Sequence, residues 1–576
     1  MRGRGGPGPS REDLLADGFA FVPRSAGLGG RPGRRRLPGW LLGVPLCACF
    51  AACGGAAASG TAPTATIDPP QPAASIEDDF PVDASASRYH PMHHAAFGPL
   101  YGSGCPENGK CGCGGATGLA QEFTCQMDHL AANDIPVTAY LFDGAAWSLG
   151  QSTPDGTCSG PDCCSWKLGD QVIQRLASSG VRGLLHFWGG CHSDEQYGRA
   201  YSRLGRNLLG FYLDDGSSDD ELQRVSEYMQ SVIPGDWEVV AKAYQNREPS
   251  TTNAGLSKWA NAAYVGDLPY DFDGLKQAID LMVAKNHYLP APFAELTGYA
   301  YLDEGIPDEE VYYRRLHFGA MQPVMAHTPY ANTDPWRPEY GSGLVAAYRY
   351  WAWLHRELVP YFYSYAYRMY ESPNLAVFWR GPMTYSLRVG RELFVPFVTE
   401  ETRSMDVQLP SGQWIDYWDE SNLVSGTLAG FPVPLGHEPV FIRQGAIIPM
   451  EVERPYTGHG TRESRGSLTV LVYPSGTSSF RYREDARQTW IILTSALAGT
   501  ELTLTADPGL PAQPLLYRVG RWSEEPGSVG ISGAQVTVNQ GGHVPRLDSE
   551  AAVNGSTQSG WFYDAGAERL VIKVVP

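Results

Sequence analysis

The chain has 576 residues, of which 43% are hydrophobic and 11% aromatic. That is enough for two to four domains with sizeable cores. Its formal net charge of −18 argues against a nucleic-acid partner, since a phosphate backbone is gripped by an excess of clustered Lys and Arg.

In chain order, Arg34, Arg35 and Arg36 form a basic cluster before the apolar run Leu37 to Phe50. The run is too short to span a bilayer and has the layout of a targeting segment. Ala51-Ala52-Cys53-Gly54 follows and resembles a bacterial lipoprotein cleavage box. Residues 1–53 are therefore expected to be a lipoprotein signal segment. Cys53 is the lipidation site, and the chain is held at the cell envelope by a membrane lipid anchor; an ordinary signal peptide cut nearby is the alternative. Residues 54–90 are rich in Ala, Ser, Thr and Pro and read as a flexible tether. Downstream stand Cys105, Cys111, Cys113, Cys125, Cys158, Cys163, Cys164 and Cys191. This even set in an exported chain predicts disulfides of undetermined connectivity. No Cys-x2-Cys pair with matching His spacing accompanies them, so no metal is expected, nor any cofactor.

From Phe97 the pattern alternates between strand and helix. Strands are expected at 97–102, 135–142, 181–187, 207–213, 237–243, 262–267, 289–294 and 322–326. Helices are expected near 119–132, 167–179, 219–233, 271–285 and 307–319, with one long aromatic helix from about 343 to 370. Eight such units over 91–371 predict an α/β fold, a (β/α)8 TIM barrel. At the strand ends stand Asp143, Trp188, Asp214, Lys242, Asp267, Glu295 and His327, the set of polar and aromatic residues that a barrel active-site rim requires. Some of the aspartates also suit helix N-caps. Beyond about residue 372 short alternating runs with turn signals take over. They predict two C-terminal β-sandwich domains, a proximal one at 372–455 and a distal one at 456–576.

Two carboxylates at strand ends, in a chain with 15 Trp and 31 Tyr to stack on sugar rings, fit glycoside hydrolysis by a nucleophile and a general acid. The runs Gly210-Phe211-Tyr212-Leu213-Asp214 and Tyr264-Val265-Gly266-Asp267 are similar to the nucleophile and acid/base segments of glycoside hydrolase family 31. So are Phe318 to Pro323 with His327 and Pro335-Trp336, and Pro439 to Pro449 in the proximal sandwich. The resemblance implies a retaining hydrolase of α-linked glycosides acting on an oligosaccharide or glycoside, of the α-glucosidase or α-xylosidase type. Asp214 would be the nucleophile and Asp267 the acid/base. Asp143, Trp188, Asp215, Lys242, Glu295, His327 and Trp336 would meet the substrate. Asp215 competes for the nucleophile role, and register with the family strand favours Asp214. The chain departs from the family after Asp214, where Asp215-Gly216-Ser217 stand, and in lacking an arginine shortly before His327. A sugar-binding protein without turnover, or a transglycosidase or lyase on the same fold, stays open on these grounds.

Overall fold

A computed structural model describes residues 99–103, 119–142, 147–148, 165–166, 168–187, 194–213, 218–232, 238–242, 256, 259–265, 268–285, 292–294, 296, 308–328, 333–371 and 377–576. Its first body is a barrel of eight parallel strands, with a two-strand hairpin (β3, Trp147–Ser148, and β4, Ser165–Trp166) after the second. The barrel strands are β1 (Leu100–Ser103), β2 (Ala139–Phe142), β5 (Arg182–Phe187), β6 (Leu208–Leu213), β7 (Glu238–Lys242), β8 (Ala262–Tyr264), β9 (Pro292–Phe293) and β10 (Ala326–His327). Their order in the sheet is β10-β1-β2-β5-β6-β7-β8-β9. The remaining gap, between the β9 and β10 ends, is bridged in two ways. The Leu296 N–H donates to the Ala326 carbonyl at 2.8 Å. The Gln322 amide also pairs with the backbone of Ala294, donating to its carbonyl and accepting from its N–H, each at 2.9 Å. A side-chain amide thus does the work of a strand residue where β9 and β10 are too short to make a ladder.

The expected helices recur at Leu119–Ala132, Asp170–Ser179, Asp219–Val232, Phe272–Lys285 and Glu309–Ala320. One more, Asp194–Leu204, was not expected; it buries only Tyr197, Ala200 and Leu204, a thin stripe at helical spacing. The long aromatic helix is two, Ser342–Glu357 and Val359–Glu371. Pro360 lacks the N–H that would continue the ladder, and Leu358 closes the first helix with a bond to Leu354.

Two β-sandwich domains follow. The proximal one has a six-strand antiparallel sheet built on Leu393–Pro396 and Phe441–Arg443, and a two-strand sheet, Ser404–Gln408 with Thr427–Pro432. The distal one has two five-strand sheets. The first strand of one of them is Ile447–Met450, pairing with Leu468–Val472. That sheet therefore begins upstream of the polar stretch 453–465 at which the sequence pattern changes. Cys125 is disulfide-bonded; the other cysteines of its set, and Cys53, lie outside the described residues. Among the described residues no helix is long and apolar enough to cross a membrane.

Arg314 pins the barrel to the proximal sandwich. Its fully buried guanidinium donates to the carbonyls of Thr402 (2.7 Å) and Val433 (2.9 Å) and pairs with Glu438 at 3.4 Å and Glu310 at 3.3 Å. Burial pushes the Glu438 carboxyl up to about 7 against the pull of Arg314. Removing one partner of a buried pair strands the other charge. Arg314→Met should therefore lower unfolding free energy by about 3–5 kcal/mol, read by urea denaturation near pH 8. Adding Glu438→Gln should restore part of the loss.

Candidate active site

In a closed barrel each strand residue faces either the lumen or the helical shell, and the choice alternates along the strand. Ring contacts and register fix that alternation strand by strand. On β6, Phe211 packs on Tyr197 of the shell helix at 4.9 Å, so Tyr212 faces inward. Tyr212 stacks on His186 of β5 at 5.0 Å and meets Tyr264 of β8, two strands away, at 5.9 Å. Tyr264 in turn meets Phe293 of β9 at 5.8 Å. These four rings form an aromatic layer inside the barrel. Register carries the lumen face to Val240 on β7, which pairs with Tyr212, and the backbone of Lys242 ends that strand opposite Tyr264. On β2, Tyr140 and Phe142 pack on Phe123 of the first helix, so Leu141 is the lumen residue.

The first and eighth strands run in phase with that assignment. Tyr101 pairs with Tyr140 on one side and His327 on the other, and all three face the shell. The His327 ring lies 3.1 Å by Nδ1 from the Tyr348 hydroxyl and 3.4 Å by Nε2 from that of Tyr312, each on a shell helix. Burial lowers its pKa to about 3, so the ring is neutral. His327 thus ties the last strand to two helices and, in this structure, does not face the lumen. The lumen residue there is Thr328, which the sequence reading passed over. A Cβ on Gly102 of β1 would sit 3.0 Å from the Thr328 hydroxyl and 3.2 Å from Leu141 Cβ, so the three crowd together on the inner face.

Trp336 is also committed. One face of its ring stacks on His129 at 4.9 Å and the ring lies 5.8 Å from Tyr101 in near-parallel contact, which leaves little open face for a sugar. Beside it lies a group the sequence reading missed, the fully buried Asp334. Its Oδ1 accepts from Tyr101 Oη at 2.7 Å and Gln126 Nε2 at 3.5 Å, and Gln126 accepts from Tyr140 Oη at 2.5 Å. Oδ2 has no partner among the described residues. The signal was its place directly before Pro335-Trp336. Asp143, Trp188, Asp214, Asp215, Asp267 and Glu295 lie outside the described residues, and of Lys242 the backbone alone is described. Among the described residues no cluster of His, Cys, Asp and Glu could hold a metal ion.

Residues 238–365 match the model of the glycosyl hydrolases family 31 TIM-barrel domain, and residues 369–448 match that of the family's C-terminal domain. An isomaltosyltransferase of Sporosarcina globispora is 22% identical over 54% of this chain and 30% of its own length. A 1,3-alpha-isomaltosidase of Kribbella flavida is 29% identical over 24% of this chain and 22% of its own. The chain therefore spans less than a third of the length of each of these curated relatives. Among solved structures, the cycloalternan-forming enzyme of Listeria monocytogenes superposes with a TM-score of 0.66 at 16% identity, covering 85% of this chain and 54% of that one. A dextranase of Flavobacterium johnsoniae gives 0.64, also at 16% identity, over 84% and 70%.

Burial lifts the Asp334 carboxyl to about 6, against the opposing Tyr101 bond, the Arg337 charge and the Gln126 bond. A carboxyl raised above its unfolded value stabilises the fold below the unfolded pKa and loses that contribution as pH rises through the folded one. Asp334→Asn cannot ionise. Between pH 4 and pH 7 it should gain on the wild type by up to about 3 kcal/mol, read as the difference between paired urea melts.

Proposed function

Since the chain belongs to glycoside hydrolase family 31, we propose that it is a retaining hydrolase of α-linked glucosides, with Asp214 as nucleophile and Asp267 as acid/base. The observation that carries this reading is the contact between Tyr212 and Tyr264 across the lumen, with ring centroids 5.9 Å apart. These tyrosines stand two residues before Asp214 and three before Asp267, so the two strands that lead to the carboxylates bring their inward-facing rings to the same part of the lumen. Register with the family's nucleophile strand favours Asp214 over Asp215. Asp143, Trp188, Lys242 and Glu295, which stand at or just after the ends of barrel strands in the sequence, are the proposed substrate-binding groups.

The chemistry follows. Asp214 attacks the anomeric carbon as Asp267 protonates the departing oxygen, giving a glycosyl ester and a free alcohol. Asp267 then takes a proton from water, which attacks the same carbon and releases Asp214 and a sugar of unchanged anomeric configuration. Two carboxyl groups ~5–5.5 Å apart serve this double displacement. Aromatic rings below the reacting sugar supply apolar surface for its C–H faces. The relatives named as isomaltosyltransferase and 1,6-alpha-glucosyltransferase favour a second reading, in which a sugar hydroxyl replaces water in the second step.

Asp214→Asn and Asp267→Asn should each reduce turnover of 4-nitrophenyl α-glucoside by about 10²–10⁴-fold, with azide rescuing Asp267→Ala by adding directly to the glycosyl ester. Wild-type turnover in both variants would refute the assignment. Chromatography of products with and without added maltose separates hydrolysis from transfer. We propose further that Cys53 carries lipid and holds the enzyme at the cell envelope, with disulfides formed after export. Labelled palmitate should enter the wild type and not Cys53→Ala when each is expressed in a bacterium; equal labelling would refute the anchor.

A further inference from the structure

Arg315 follows the interface arginine on the helix Glu309–Ala320, yet it points at a different partner. Its guanidinium is fully buried, and Nη2 donates to the carbonyls of Pro269 at 2.5 Å and Asp271 at 3.0 Å. The Tyr270 ring between those carbonyls lies 5.3 Å from Cζ, within cation–π range. The gripped turn is tied from its other side as well. Asp271 Oδ1 accepts from the Gly274 N–H at 2.7 Å and its carbonyl accepts from the Leu275 N–H at 3.1 Å, starting the helix Phe272–Lys285. Gly274 has to be glycine, because a Cβ there would collide with the Pro269 carbonyl.

We propose that Arg315 is a positioning residue for the general acid: by clamping Leu268–Asp271 it fixes the segment that begins one residue after Asp267. The inference rests on the reading of Asp267 as the acid/base. Stability by itself gives no reason for an arginine here. A buried cation costs several kcal/mol unless a carboxylate pairs with it. Among the described residues no ion pair is formed by Arg315, and Nε and Nη1 have no hydrogen-bond partner. Its planar fork does supply rigid, directional donors to backbone carbonyls. A general acid needs that, since a displacement of about 1 Å can cost about 10²-fold in rate.

The test uses two glycosides of one sugar that the wild type cleaves, one with a methyl and one with a 2,4-dinitrophenyl leaving group. The second leaves without a proton, so its kcat/KM, which covers only the steps up to the glycosyl ester, reports everything in those steps except general acid catalysis. Arg315→Met, Arg315→Lys and Gly274→Ala should each lose at least about 10-fold more kcat/KM on the methyl glycoside than on the dinitrophenyl one. Equal losses on both would overturn the proposal. Hydrogen exchange on the full chain gives a readout that needs no activity. In Arg315→Met the amides of Gly274 and Leu275, which Asp271 protects, should exchange at least about tenfold faster, with those of the helix Glu309–Ala320 unchanged. Unaltered exchange would overturn it too. A wild type that cleaves no glycoside refutes the hydrolase reading, and the exchange result then decides the clamp.

Discussion

Barrel closure leaves every strand residue two directions and no third, and the chemistry depends on that choice. The bond from Leu296 to Ala326 and the Gln322 amide on Ala294 hold the shortest staves in phase with the rest. A one-residue slip at β10 would exchange His327 and Thr328 between shell and lumen. The bidentate amide resists such a slip because its donor and acceptor must both find Ala294. The aromatic layer of His186, Tyr212, Tyr264 and Phe293 is a consequence of that phase, since in-register parallel neighbours bring like positions to one level.

The neighbouring arginines of the helix Glu309–Ala320 show how one element serves two interfaces. Successive residues on a helix are turned by about 100°, so Arg314 and Arg315 diverge. One enters the proximal sandwich, where Glu438 and Glu310 compensate its charge. The other meets two carbonyl dipoles and the face of Tyr270. Burial lowers the Arg315 pKa to about 10, which still leaves it cationic at neutral pH. The same helix contributes Tyr312 to His327. The sandwich, the turn beyond Asp267 and the last strand are therefore all referenced to one rigid segment.

Much of this was legible in the sequence because period and punctuation are local. The strands Leu208–Leu213 and Arg182–Phe187 are apolar runs bounded by Gly and polar residues, and the helix Leu119–Ala132 has a clear periodic stripe. The helix Asp194–Leu204 was missed because its three buried positions stand among six polar residues, a glycine and a half-buried tyrosine, which gives a weak signal. The break at Leu358 was missed because aromatic residues continue on both sides, though Pro360 marked it. Facing was harder than element type. His327 reads as a ligand-type residue at a strand end, and only its pairing through Tyr101 to Tyr140 and Phe123 turns it outward. Asp334 and Arg315 were illegible as functional groups because their partners lie 233 and 46 residues away in sequence.

The outward turn of His327 also bears on the departures from the family pattern. With a neutral ring held between two tyrosine hydroxyls, the eighth strand offers the lumen a small hydroxyl, Thr328, beside a glycine. Such a wall is uncharged and shallow in side-chain volume, so it contributes little electrostatic stabilisation to a developing oxocarbenium ion. That demand then falls on the two proposed carboxylates, Asp214 and Asp267. A site with one such wall depends the more on the exact placement of its two carboxylates. It therefore gains more from a rigid clamp on the turn after Asp267 than from an additional ligand on the last strand.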